Sequence, residues 1–222
     1  MASWQQKFLS GPNIKRRLVA IFGAHVFMGL AVVLMRLSLF GNDPFSCMNL
    51  GYSIVSGLTY GECVILFNLA LIGPVWFLDK SYVQFGTLVN MFMLGPIADL
   101  WFLILGNHPS LVEPTMFIRV LLLVLGVLVT TLACAFYMST RFGMGPYDAI
   151  GWIIADRSHG KFKFRSTRVL IDALAVTIGF SCGSIVGLGT LVMACGTGPL
   201  INFFSDRLAV PLLYGNKRRN LN

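Results

Sequence analysis

The chemistry available to this chain sits on a few aspartates and amides set inside apolar runs. Asp43 and Asp148 stand beside Pro44 and Pro146, Asp99 lies deep in a long apolar stretch, and Asp172 follows Arg168 at helical spacing. A charge near the bilayer centre costs at least about 3 kcal/mol on insertion scales, so each such group faces a cavity or a partner. Carboxylates so placed can hold a cation or a proton, pair with a cation, or accept backbone N–H groups at a helix end. Two of them belong to a repeated pattern: Gly41-Asn42-Asp43-Pro44-Phe45-Ser46 returns as Gly143-Met144-Gly145-Pro146-Tyr147-Asp148. Proline suits a helix start, because its missing N–H would be unpaired in the first turn anyway. Asp43 is placed to cap the helix that Pro44 opens. Gly145 holds that place in the second copy, which predicts a weaker cap.

Each pattern opens an apolar segment, Pro44–Leu58 and Pro146–Ala155. The second would form a helix of about 15 Å, half the hydrocarbon thickness. Both read as half-helices, re-entrant or interfacial, whose backbone must be covered by protein or line a cavity. A half-helix N-terminus carries unpaired N–H groups and partial positive charge, and can hold an anionic or carbonyl group. On this reading Asp43, Pro44, Ser46, Asn90, Pro146 and Asp148 line a substrate site, while Asp99, Asp172, Arg168 and Asn68 couple or gate it. Plainer readings stand beside it. Gly-x-x-Pro can simply end one helix and start the next, and Asp99 can hydrogen-bond a neighbouring helix. Arg168 and Asp172 can form a local ion pair, and Asn68, Asn90 and Asn202 can join helices. His25 reads as a satisfied packing residue, and Glu62 as a water-facing residue at a helix start.

The elements that position these residues are membrane spans. The chain has 222 residues, 56% hydrophobic and 12% charged, against about a quarter charged in soluble domains. Several runs approach the ~20 residues that cross a bilayer, and six spans are read, the second and fifth of them short: Leu18–Leu39, Cys63–Leu78, Val83–Leu105, Phe117–Thr140, Val169–Cys182 and Val186–Phe204. The net charge of +8 resolves into Lys15, Arg16 and Arg17 before the first span, Lys161, Lys163, Arg165 and Arg168 in one loop, and Lys217, Arg218 and Arg219 at the end. That is a positive-inside pattern with both termini cytoplasmic, so the basic charge reads as topology and not as nucleic-acid binding.

The halves match in order. Gly23 pairs with Gly126, Phe40-Gly41 with Phe142-Gly143, Gly86-Thr87 with Gly189-Thr190, Gly95-Pro96 with Gly198-Pro199, and Asp99 with Asn202. Ordered matches of this kind mark an internal repeat. Three spans per half set the halves in opposite orientations, an inverted repeat with a short helix in each, which is a pointer to a transport site. The expected fold is an all-α membrane protein of six transmembrane helices in two inverted three-span repeats. Its parts are a cytoplasmic segment 1–17, repeat one 18–105, an external link 106–116, repeat two 117–205, and a basic cytoplasmic tail 206–222. The five cysteines form neither CxxC nor a Cys/His metal spacing, so no cofactor or metal is expected. There is no HExxH, nucleophile elbow or Walker A pattern, which makes an enzyme the weaker class.

Gly41-x-Asp43-Pro44-Phe45-Ser46, Gly86-Thr87-x-x-Asn90, Gly95-x-x-x-Asp99, Gly143-x-Gly145-Pro146-x-Asp148, Arg168-x-x-x-Asp172 and Gly187-x-Gly189-Thr190 together carry a resemblance. Over Leu18–Phe204 the chain resembles the YczE/YitT group of small bacterial membrane proteins, nearer to YczE. The resemblance implies a bacterial inner-membrane location and a multi-span fold, and it implies no substrate. The expected function is a small secondary transporter of a small organic solute, an anionic one among the options. The alternatives are a substrate-binding subunit like those of energy-coupling-factor transporters and, behind it, an intramembrane or lipid-modifying enzyme. The expected partners are the bilayer, a small-molecule substrate, and a second copy or a transporter-complex subunit.

Overall fold

Helix boundaries follow the capping residues. The structure, a computed structural model, describes residues 13–108, 111, 113–158 and 164–215. The expected segment before residue 13, the loop cations Lys161 and Lys163, and the tail cations Lys217, Arg218 and Arg219 lie outside the described residues. Every regular element among the described residues is helical: α1 Ile14–Ser38, α2 Pro44–Ser56, α3 Tyr60–Leu78, α4 Phe85–Leu105, α5 Met116–Ser139, α6 Pro146–Arg157, α7 Phe164–Ser181, α8 Leu188–Phe204 and α9 Val210–Tyr214. The Asp43 carboxylate accepts the Ser46 N–H at 3.1 Å and caps α2. Gly145 starts α6 with no side-chain cap, as its residue type predicts. Glu62 closes a capping box on α3, accepting the Thr59 N–H at 2.8 Å, while Thr59 Oγ1 accepts the Glu62 N–H at 3.2 Å.

Five helices are long and apolar enough to cross a membrane: α1, α3, α4, α5 and the continuous helix Leu188–Tyr214, in which α8 runs through a π-helical turn, Ser205–Ala209, into α9. The sixth expected span is α7. It has 18 residues and carries Arg165, Arg168 and Asp172 in its first half, so it falls outside that set. Large apolar side chains cover the outside; Phe77 is 87% and Phe117 79% exposed, which suits lipid rather than water.

α1 is central and packs on α4 and α5. It runs in the same direction as α4: Ile21 lies against Gly86, His25 meets Asn90, Gly29 abuts Ala98, and Arg36 stacks on Phe102. It runs opposite to α5, whose Arg119 reaches Ser38 and whose Tyr137 ring meets His25. α8 follows α5 in direction, from Gly189 beside Phe40 to Ser205 beside Ser139. The two described chain ends meet where Asn13 Nδ2 donates to the Leu213 carbonyl at 3.1 Å.

The two halves hold one another through matched contacts. The Gly86 N–H donates to the Phe142 carbonyl at 2.7 Å, and the Gly189 N–H to the Phe40 carbonyl at 2.8 Å. Arg17 Nε donates to the Thr140 carbonyl at 2.8 Å and its guanidinium lies over the Phe142 ring. Arg119 Nε donates to the Ser38 carbonyl at 3.0 Å and lies over the Phe40 ring. Leu39 and Arg141 end α1 and α5 in the left-handed region, and the glycines that follow, Gly41 at φ 92° and Gly143 at φ 97°, stay there. A Cβ at Gly41 would stand 2.4 Å from Thr190 Oγ1, so glycine is needed for space as well as for φ. The short helices are shared in the same way: α2 lies against α7, with Cys47 and Gly51 on Gly179, and α6 lies against α3, with Ala149 and Ile153 packed on Val75.

Arg17 is 4% exposed, so replacing it removes a buried charge-assisted bond and a ring contact. Arg17→Gln should cost about 1.5–3 kcal/mol, and Arg17→Lys, with one point donor, should recover little of it. Denaturation of the purified protein measures both; a loss below about 0.5 kcal/mol, ordinary for surface changes, would contradict the clasp.

Candidate functional site

The N-termini of α2 and α6 point at each other and meet through aromatic rings. Phe45, second residue of α2, and Tyr147, second residue of α6, have ring centroids 5.1 Å apart. Pro44 and Pro146 open these helices and are buried. Around the contact lies a charged cluster. Arg168 Nη1 donates to Asp148 Oδ1, and Arg168 Nε to Asp172 Oδ2 at 3.1 Å. Tyr147 donates its hydroxyl to Asp172 Oδ1 at 2.7 Å, and the Arg168 guanidinium lies 5.0 Å from the Tyr147 ring centre. Asp43 lies within electrostatic reach of both Arg168 and Asp172. Ser46 and Tyr60 share a hydrogen bond of 3.0 Å beside it.

Two carboxylates thus bond one guanidinium, with Asp43 nearby. Among the described residues no group of three or more His, Cys, Asp or Glu is arranged to chelate a metal ion. Asp172 is the most enclosed, with 13% of its side chain exposed, whereas Asp148 keeps 39% and Arg168 33%. The cluster is therefore only partly enclosed. Asp43, Ser46, Asp148, Arg168 and Asp172 are the expected residues that the fold brings together here.

The other expected residues go elsewhere. Asn90 points at His25, with 3.4 Å between Asn90 Nδ2 and His25 Nε2, while His25 Nδ1 contacts the Ile21 carbonyl at 2.7 Å. Asn90 also explains Gly145: a Cβ there would stand 2.7 Å from Asn90 Oδ1. A side chain on residue 145 would therefore require the Asn90 amide to shift. Asp99 accepts the Gly61 N–H at 2.8 Å and so caps α3 from α4, next to a direct backbone contact between Gly61 and Gly95. Asn68 Nδ2 donates to the Val64 carbonyl at 2.9 Å, and its buried Oδ1 has no hydrogen-bond partner among the described residues. Asn202 is exposed in a groove of about 210 Å³ with Ser139, Arg141 and Ser205. Tyr60, Tyr147, Arg17 and Arg119 escaped the sequence reading; for Tyr147 the signal was its place inside the repeated pattern, and for the arginines it was their equal distance from the two prolines.

At the rim, Tyr82 donates its hydroxyl to Asp156 Oδ2 at 2.9 Å, and Arg157 donates to the Leu78 carbonyl at 2.6 Å. Burial and the bond to Asp156 push the Tyr82 hydroxyl up to about 12. Asp79 accepts the Ser81 N–H at 2.8 Å, which holds its carboxyl below the usual range.

If Asn90 excludes a side chain at position 145, Gly145→Asp should be destabilising alone and tolerated with Asn90→Ala. The double-mutant coupling should fall in the range of about 0.5–3 kcal/mol seen for touching residues. Additive effects in denaturation curves would show that something else keeps glycine there.

Comparison with known proteins bears on this arrangement. The chain is similar to an "Uncharacterized protein" of Haemophilus influenzae, with 26% identity over 93% of this chain and 91% of the relative. It is similar to "Uncharacterized protein YyaS" of Bacillus subtilis, with 24% identity over 87% of this chain and 98% of the relative. It is also similar to "Uncharacterized membrane protein YczE" of Bacillus subtilis, with 24% identity over 87% of this chain and 89% of the relative. No solved structure matches the chain. The apolar helices and the YczE relative together identify an integral membrane protein, YczE-like in sequence. The match to one family model runs over residues 14–206, the clasp, both short helices and the charged cluster included, and on that ground the chain belongs to the Family of unknown function DUF6198.

Proposed function

We propose that the chain is a small secondary transporter built as two inverted halves of three crossings each, with α7 as the sixth crossing. The solute site lies where α2 and α6 meet. The observation that carries this reading is a difference between the halves. In the first half α3 packs along α4, with Gly61 against Gly95 and Asp99 on the Gly61 N–H. In the second half α7 and α8 barely touch, and Gly198, the counterpart of Gly95, has nothing within 4 Å of where a Cβ would stand. One seam closed and its counterpart open, on either side of a shared charged centre, is what one state of a rocking inverted pair requires.

We favour a cationic solute over the anionic alternative. Three carboxyl groups, Asp43, Asp148 and Asp172, gather near a single cation, Arg168. A small organic amine, or a solute moved with protons, fits this balance. Arg168 then holds Asp148 and Asp172 in place, and Asp99 gates by latching α3 to α4. The excess of Lys and Arg near residues 13 and 213 orients that end toward the cytoplasm of the bacterial inner membrane.

Proteoliposome flux with a panel of organic amines and organic anions, across several pH values, tests the proposal. An amine should enter with the wild type, and Asp148→Asn or Asp43→Asn should lower its uptake by about tenfold or more, the effect of one lost charge-assisted contact. Spin labels on Ile178 and Val192 should move closer when the amine is added, while a pair on Leu66 and Leu103 separates. Anion uptake untouched by either substitution would overturn the cationic site. Tight binding with no flux and fixed label distances would favour the partner-dependent subunit instead.

A further inference from the structure

A groove lies away from the charged centre, at the end where the two described chain ends meet. It measures about 400 Å³ and is lined by Val19 and Ala20 of α1, Phe136 of α5, and Leu212 and Leu213 of α9, with Lys15 and Arg16 at its mouth. Its floor is apolar. Its mouth carries two exposed cations of the first turn of α1. Both ion pairs among the described residues belong to Arg168, so neither Lys15 nor Arg16 meets a carboxylate there. Arg16 makes one long bond, Nη1 to the Leu212 carbonyl at 3.4 Å. The flanking segments 1–12 and 216–222 contain no Asp or Glu and add Lys7, Lys217, Arg218 and Arg219.

An apolar trough with uncompensated positive charge at the membrane surface is complementary to one kind of molecule. We propose that this groove binds an anionic phospholipid, one acyl chain lying along Val19, Ala20, Phe136 and Leu212 and the phosphate held by Lys15 and Arg16. Basic pockets between spans take anionic headgroups in this way, and the acyl chain replaces contacts that water could not make. Because the groove touches α1, α5 and α9 together, the lipid fastens the C-terminal turn to the two central helices. Asn13 and Arg16, which already hold the Leu213 and Leu212 carbonyls, act in the same place.

The test is the thermal stability of the full chain in neutral detergent, with phosphatidylglycerol, with phosphatidylcholine of the same chains, and with inorganic phosphate. A ligand of the folded state raises the melting temperature by mass action. Phosphatidylglycerol should raise it, and the other two should not. The rise should largely vanish in Lys15→Gln with Arg16→Gln and in Ala20→Trp, which fills the trough. It should survive Lys80→Gln with Arg165→Gln, which removes equal charge elsewhere. Three results would overturn the proposal: an equal rise with phosphatidylcholine, the same rise with inorganic phosphate alone, or equal loss in the control pair. A rise seen only in a chain carrying Phe8→Ser and Leu9→Ser would also overturn it, by making residues 1–12 the occupant.

Discussion

The structure depends on how two helix ends are satisfied. α1 and α5 stop short of their partners, and the last carbonyls of any helix have no bond within it. In water this is tolerable; in hydrocarbon each unpaired group costs several kcal/mol. Arg17 answers for the end of α5 and Arg119 for the end of α1, each with a ring of the other half beneath its guanidinium. The glycine N–H groups of Gly86 and Gly189 then close on Phe142 and Phe40. Neither half can finish its own first helix. Because the clasp fixes the turns through Gly41 and Gly143, it also fixes where α2 and α6 begin, and hence where Asp43 and Asp148 stand.

The charged centre follows from that placement. Two short helices aimed at each other bring unpaired N–H groups and partial positive charge to one place. Asp43 and Asp148 compensate it, and Arg168 on α7 ties Asp148 to Asp172. With Arg168 33% and Asp148 39% exposed, solvent screens their pairing, and it contributes little net stability. At the uncapped helix start, Asn90 stands in the space that a side chain on residue 145 would need.

Much of this was legible in the sequence. Proline and aspartate marked the start of α2 to the residue, and the Gly-x-Gly-Pro pattern marked α6 and its missing cap, because these signals act locally. The ends were less legible. α3 starts at Tyr60, three residues before the apolar run, since Thr59 and Glu62 set the boundary and hydropathy does not. The last helix runs on to Tyr214 past the polar Ser205-Asp206-Arg207, which read as a tail. Asp99 and Asn90 were picked out by depth alone. Depth cannot tell a ligand from a cap, and their partners, Gly61 and His25, lie far away in sequence. The arginine clasp was missed for the same reason: at a span terminus a cation reads as an interfacial anchor, and only the fold brings it to the other half's carbonyls.

The proposed rocking needs two states of similar energy, and the proposed inverted repeat would supply them. Two identical inverted halves would give two conformations related by exchange of roles, with no energy difference between them. The differences between the halves therefore set the bias. Asp99 latches the Gly61 N–H in the first half, and its counterpart Asn202 is neutral and exposed. Hydrogen bonds to charged groups contribute about 1.5–3 kcal/mol, which favours the closed first seam by about tenfold to over a hundredfold. A solute can shift an equilibrium only by its differential affinity for the two states. In the proposed cycle the Asp99 bond to Gly61 is thus the latch: removing it, as in Asp99→Ala, would weaken the contact that distinguishes the halves and bring the two proposed states closer in energy.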